Sequence, residues 1–185
     1  MIPVFPPPPE AARFIYERTL YSSADVLQDS DSDAFRRLVT GEKRVGEAFA
    51  KPYGVAVHRG RLYVSDTVRR VVMLFDFPAK RFELIGTDDP GGVRLPLGLD
   101  VDLAGNLYVC DATTRQVHVF DPAGKFLRQF GGGDWLKRPS GIAVEPSGER
   151  VYVVDTGGVD TLEHRVRVFD ARSGQHILDI GARGD

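Results

Sequence analysis

The sequence predicts an all-β fold, a β-propeller of three four-stranded blades with one additional strand at the N-terminus. Three observations predict it. The chain repeats itself: Pro-x-Gly recurs at Pro52, Pro96 and Pro139, Tyr-Val-x-Asp ends at Asp66, Asp111 and Asp155, and Phe-Asp recurs at Phe75-Asp76, Phe120-Asp121 and Phe169-Asp170. Within each repeat apolar residues alternate with period two, the spacing of half-buried strands rather than helices. Turn residues divide each repeat into four runs, and four strands at a period of about 40–45 residues describe a propeller blade.

The elements follow in order. Residues 1–11 contain Pro6-Pro7-Pro8-Pro9, read as a polyproline II spacer. Residues 12–50 open with Ala12–Leu20, which alternates like the last strand of a blade and is expected to supply the outer strand of a closing blade. A polar stretch through Asp29-Ser30-Asp31-Ser32-Asp33 follows. A helix is expected over Asp33–Thr40, capped by Ser32 or Asp33 and stopped by Gly41. The Asp/Ser run lacks the glycine and closing glutamate of a calcium loop, so it reads as a capped loop.

Residues 51–86 form the first blade, with strands at Gly54–His58, Arg61–Ser65, Val71–Phe75 and Phe82–Ile85. Residues 87–131 form the second, with Gly98–Asp102, Asn106–Cys110, Gln116–Phe120 and Phe126–Phe130. Residues 132–185 form the third, with Gly141–Glu145, Arg150–Val154, Arg165–Phe169 and His176–Ile180. Arg59-Gly60, Ala104-Gly105-Asn106, Pro122-Ala123-Gly124, Ser147-Gly148 and Ser173-Gly174 supply the turns.

Composition sets the bounds. The 185 residues are 42% hydrophobic and 27% charged, enough apolar matter for a packed core. Twenty-four Lys and Arg against 26 Asp and Glu argue against a nucleic-acid partner held by bulk positive charge. No apolar run reaches the roughly 18–20 residues of a membrane helix. The single Cys110 has no intrachain disulfide partner, and no Cys/His cluster marks a structural metal. No signal peptide is visible.

The run Pro-x-Gly-Val-Ala-Val, Leu-Tyr-Val-x-Asp, Arg-Val-x-Val-Phe-Asp and a last strand ending in Gly, carried from Pro52 to Gly181, resembles the NHL repeat. The resemblance implies a six-bladed β-propeller of a bacterial, exported type, of which three blades are present, and hence an extracytoplasmic location. Proteins of this frame include binding scaffolds, lactonases, amidating lyases and RNA-binding modules, so it leaves function open.

Rows of residues that recur in every blade read as structural. Asp66, Asp111 and Asp155 each end a strand and are expected to bond the N–H groups of the following turn, and the same holds for Asp76, Asp121 and Asp170. Positions that differ between blades are the candidate sites. The ends of the innermost strands carry His58, Asp102 and Glu145, three titratable groups that can converge at a channel mouth on a divalent cation or polar ligand. Asp100, whose counterparts are Ala56 and Ala143, is an inner-strand carboxylate with no evident partner and the leading ligand-contact candidate.

The insert Gly157–His164 belongs to the third blade alone and holds Asp160, Glu163 and His164. Trp135, in the blade-joining loop, is expected to pack between blades. His118 and His176 are expected at the surface. The glycines at Gly131–Gly133 lack the context of a phosphate loop.

No catalytic arrangement is identifiable. The sequence therefore favours a non-catalytic binding or scaffold propeller engaging a protein or extended ligand through one face or the channel mouth. The alternative is a metal-dependent lactonase-like or lyase-like enzyme, for which Ca or Zn is the implied cofactor; no other cofactor is evident. An RNA-binding module ranks third, on the basic residues of the N-terminal half. Propellers close with about four to eight blades, so three blades expose apolar blade faces that invite association. A homodimer, or a place within a longer chain, is expected.

Overall fold

The computed structural model describes residues 3–27, 31–42, 46–158 and 164–181. Two short strands, β1 (Val4–Phe5) and β2 (Phe14–Ile15), pair antiparallel. The proline run is thus the connection of a hairpin rather than a spacer, because Val4 and Phe5 find partners in Phe14 and Ile15. β2 joins no blade: each of the three large sheets is already filled by the four strands of its own repeat. A 3-10 turn at Ser23–Asp25 precedes helix α1 (Asp31–Thr40), which begins two residues before the expected start, so Ser32 and Asp33 lie in its first turn. It ends at Gly41, whose φ of 69° is the left-handed conformation that terminates helices.

The first sheet runs β3 (Pro52–His58), β4 (Arg61–Asp66), β5 (Val71–Asp76) and β6 (Arg81–Ile85). The second runs β7 (Pro96–Val101), β8 (Leu107–Asp111), β9 (Gln116–Phe120) and β10 (Phe126–Gly131). The third runs β11 (Pro139–Val144), β12 (Arg150–Asp155), β13 (Arg165–Asp170) and β14 (His176–Ile180). Each sheet is antiparallel and in sequence order. The three sheets are the blades the repeats predict, with β3, β7 and β11 adjoining across the blade boundaries. β7 and β11 stop one residue early, because Asp102 and Glu145 turn their backbones into the following hairpin.

Period-two alternation gives each blade two apolar faces. Tyr63, Val72, Leu74 and Ile85 of the first blade cluster with Leu99, Leu107, Val109 and Phe120 of the second. Tyr108, Cys110, Val117, Val119 and Phe130 of the second cluster with Val144, Val151, Val153 and Phe169 of the third. One aliphatic plug from the joining loop enters each cluster, Val93 and Leu136 respectively. The other face of the first blade, Val64, Val71, Met73 and Phe75, has no preceding blade; Val26 and Phe49 of the N-terminal segment pack on it instead.

The Pro-x-Gly motif acquires its reason here. A Cβ on Gly54 would stand 2.7 Å from the Leu97 carbonyl oxygen, and one on Gly98 would stand 2.8 Å from both Gly141 Cα and the Ser140 oxygen. Neighbouring inner strands approach closely only because both positions are glycine.

Candidate functional site

The recurring aspartates are clamps. Asp66 Oδ2 accepts from the N–H groups of Ala50 (2.7 Å) and Lys51 (2.9 Å), and Oδ1 from those of Val68 (3.1 Å) and Arg69 (2.9 Å). Asp111 does the same, with Arg94 and Leu95 on Oδ2 and Thr113 and Thr114 on Oδ1. Asp155 accepts from Lys137, Arg138 and Gly157. One fully buried carboxylate per blade thus fastens the segment entering the inner strand to the turn between the second and third strands. Burial acts to raise the Asp66 carboxyl, but its four backbone donors outweigh that and leave it below the ordinary aspartate value. Asp76, Asp121 and Asp170 cap the turns at the opposite end, each accepting backbone N–H bonds.

The four candidate residues do not gather into a metal-holding cluster. Asp102 accepts from the Asn106 backbone (2.9 Å), the Asn106 amide (2.8 Å) and the Tyr108 hydroxyl (3.3 Å), inside its own blade. Glu145 accepts from the Tyr152 hydroxyl at 2.8 Å. His58 lies beside the turn at Gly105 of the second blade, and Asp102 beside that at Gly148 of the third. His58 and Asp102 therefore each sit at a blade boundary. Asp100 Oδ1 accepts from the Val101 N–H (2.8 Å) and Oδ2 from the Val144 N–H of the third blade (2.8 Å), so it is a strut between inner strands. Among the described residues no three His, Cys, Asp or Glu are grouped to hold a metal.

Other expectations change. His118 is 2% exposed, not a surface residue: it alternates with Val117 and Val119 on β9 and faces the first blade beside Phe120. Its Nε2 lies 3.1 Å from the Thr114 hydroxyl. Burial pushes the imidazole below its ordinary pKa, against the opposing pull of Asp111. Trp135 is 43% exposed and stacks on His176 at 4.3 Å, so it lies against the outermost strand of its blade rather than between blades. His176 in turn bonds Asp179 at 2.7 Å. Asp160 and Glu163 lie outside the described residues; His164 is exposed.

Two surfaces stand out that the single residues of the sequence did not announce. The first is the end of the blades that the clamps define. It carries Lys51, Arg69, Arg70, Arg94, Arg115, Lys137 and Arg138, against Glu47, Asp88, Asp89 and Asp134. Arg69 pairs with Glu47, and Arg94 with Asp89 at 3.5 Å. Arg70 and Arg115 occupy the same position in adjacent blades, both with φ of 59°, a left-handed backbone rarely given to a long side chain. The second surface is the free face of the third blade, where Val154 and Ile180 are 42% and 49% exposed. The signal for both was in the repeats, read across blades rather than along the chain.

No known family profile matches the chain, and no curated protein does. The fold has solved counterparts. Hydrazine synthase from Kuenenia stuttgartiensis aligns over 74% of this chain at 21% identity with a TM-score of 0.57, and the chain spans 37% of that protein's length. The likeness is one of fold. With three sequential four-stranded blades side by side, the chain is a partial β-propeller. No helix among the described residues is long and apolar enough to cross a membrane.

Proposed function

We propose that the chain is a non-catalytic binding and scaffold propeller of NHL type, part of a six-bladed ring, which engages an acidic protein segment on its clamp end. The observation that supports this reading most is the pair Arg70 and Arg115. A left-handed backbone costs a non-glycine residue of order 1–2 kcal/mol, and both blades place an exposed arginine there, in the turn at the same end. With Lys51 and Arg138 they form a cationic rim over a net charge of -2, a local patch suited to carboxylates. The resemblance to the NHL repeat also supports an extracytoplasmic location.

Fluorescence anisotropy with a labelled deca-glutamate peptide tests it. Binding at low salt, weakened at least tenfold by R70E combined with R115E, supports the reading. Equal binding by wild type and variant overturns it. Tighter binding of a single-stranded RNA of equal charge redirects it to the RNA-binding alternative. Stoichiometric Ca or Zn in purified protein, lost in His58→Ala or Asp102→Ala, redirects it to the metal-dependent enzyme.

A further inference from the structure

The turn end of the blades, opposite the clamps, holds a cavity of about 530 Å3 at the boundary between the first and second blades. That is the size of a small-molecule site, larger than a bare ion needs. The first blade supplies its charged groups. Arg59 and Gly60 form the two-residue turn from β3 to β4, both with positive φ, 49° and 76°. Asn-Gly is the usual occupant of such a turn, so a guanidinium stands where a short side chain serves the backbone better. His58 precedes it and Arg61 follows.

Two of the charged lining groups are paired with each other. Arg61 donates from Nη1 to the Pro122 carbonyl oxygen of the second blade at 2.8 Å, and its Nε lies 2.9 Å from Asp76 Oδ2. Asp76 is 1% exposed and accepts the Ala79 N–H on Oδ1 at 3.0 Å. His58 and Arg59 are different. Both line the cavity, and neither makes a hydrogen bond or an ion pair among the described residues. The boundary between the second and third blades shows how the same position is closed. There Asp102 replaces His58 and is held by Asn106 and Tyr108, and Leu103 replaces Arg59. A Cβ on Gly148 would stand 3.2 Å from Asp102 Oδ2, whereas one on Gly105 would stand 3.7 Å from His58 Nε2.

The remaining walls are small and apolar, Pro78 and Ala79 from the first blade, Ala104 and Pro122 from the second. The guanidinium groups of Arg59 and Arg61 outnumber the one carboxylate, Asp76, and leave the lining with an uncompensated positive charge. A single negative charge on an apolar body answers both features. We propose that this cavity binds a small organic carboxylate with a flat apolar body. The carboxylate meets the Arg59 guanidinium and the His58 ring, and the body lies against Pro78 and Pro122. Arginine takes a carboxylate through two parallel N–H bonds, and rigid proline rings offer a flat group a surface without losing side-chain freedom. The site lies at the end of the blades away from the cationic rim, so it stands or falls separately from the acidic segment.

Isothermal titration calorimetry of the full chain with sodium benzoate at low salt reads it. Saturable binding is expected, weakened about tenfold or more by R59Q and by His58→Gln. A104F fills the cavity from its exposed second-blade wall and is expected to abolish binding. Melting temperatures by circular dichroism are expected to match the wild type, because Arg59 and Ala104 are exposed and His58 is unbonded. The combined R70E and R115E variant changes the clamp end alone and is expected to bind benzoate like the wild type. No binding by the wild type up to about 10 mM overturns the proposal. So does R59Q that binds as well as the wild type. Acetate or inorganic phosphate binding as tightly as benzoate overturns it too, because charge alone then accounts for the binding.

Discussion

Replacing Asp66 by Asn is the sharpest probe of the clamp. The carboxylate accepts four backbone N–H bonds at 2.7–3.1 Å, two on each oxygen, and is fully buried. An amide keeps one oxygen and turns an NH2 group toward the other two donors. Two buried N–H groups then lose their acceptor, at about 1–3 kcal/mol each, for a total loss of about 2–6 kcal/mol. Against a typical domain stability of about 5–15 kcal/mol this is a large share. Urea denaturation reads it: with a slope of about 2 kcal/mol per molar, the midpoint falls by about 1–3 M at unchanged slope. Asp121 supplies the control. Its two backbone bonds, from Ala123 at 2.8 Å and Lys125 at 2.9 Å, both fall on Oδ1. Asparagine retains that oxygen, so Asp121→Asn is expected to change stability by less than about 0.5 kcal/mol. A D66N midpoint no lower than that of D121N refutes the clamp argument.

Three further outcomes are expected. G98A places a methyl 2.8 Å from Gly141 Cα and the Ser140 oxygen, and overpacking of this kind costs about 1–3 kcal/mol, visible as a lowered melting temperature. His118 is held neutral by burial, so below its ordinary pKa of about 6.5 the unfolded chain binds a proton that the folded chain resists; stability falls as pH drops from about 6.5, by at most about 1.4 kcal/mol per pH unit, and is unaffected above it. Replacing His118 by Leu flattens this slope in urea titrations between pH 5 and 7. Burial raises the Cys110 thiol far above its ordinary value, so a thiol-specific chromophore reacts with it only after denaturant is added.

The repeats made most of the fold legible. Each expected strand formed, because a period-two run bounded by Gly, Pro and Asp turns has few other ways to satisfy its backbone. The clamp aspartates were also legible, since a residue that recurs at the same place in each unit serves the unit. The candidate site was not. His58, Asp102 and Glu145 share a position in their repeats, but sharing a position places them one blade apart, not together, and strand geometry alone does not give that distance. Asp100 was found as an anomaly and its role as a strut was not, because its partner, the Val144 N–H, lies 44 residues away.

The residue behind each clamp shows the same limit. Met73, His118 and Arg167 occupy one position and are all buried, yet Arg167 is compensated by Asp155 at 3.5 Å and by Asp179 at 3.2 Å, whereas His118 is simply kept uncharged. Alternation fixes that such a side chain points inward; its chemistry is settled by neighbours from other strands. The N-terminal strand formed, at Phe14–Ile15, but its partner is Val4–Phe5 rather than any of the three blades. Its pattern fits an outer strand, but a strand needs an unfilled sheet edge of the right kind, and every blade here had completed its own set.

Val26 and Phe49 make the two ends of the described stack unlike. They cover the outer part of the first blade's free face, leaving Tyr53, Val55 and Val57 exposed, and nothing comparable lies on the third blade among the described residues. Such an object has a direction, like a zip with a fixed stop at its first tooth. As the chain leaves the ribosome the partly covered end emerges first, and each blade that follows covers the sticky surface of the one before it. The largest adhesive surface is then that of the latest blade, so the hazard of wrong pairing is concentrated at one moving front rather than spread over the whole molecule.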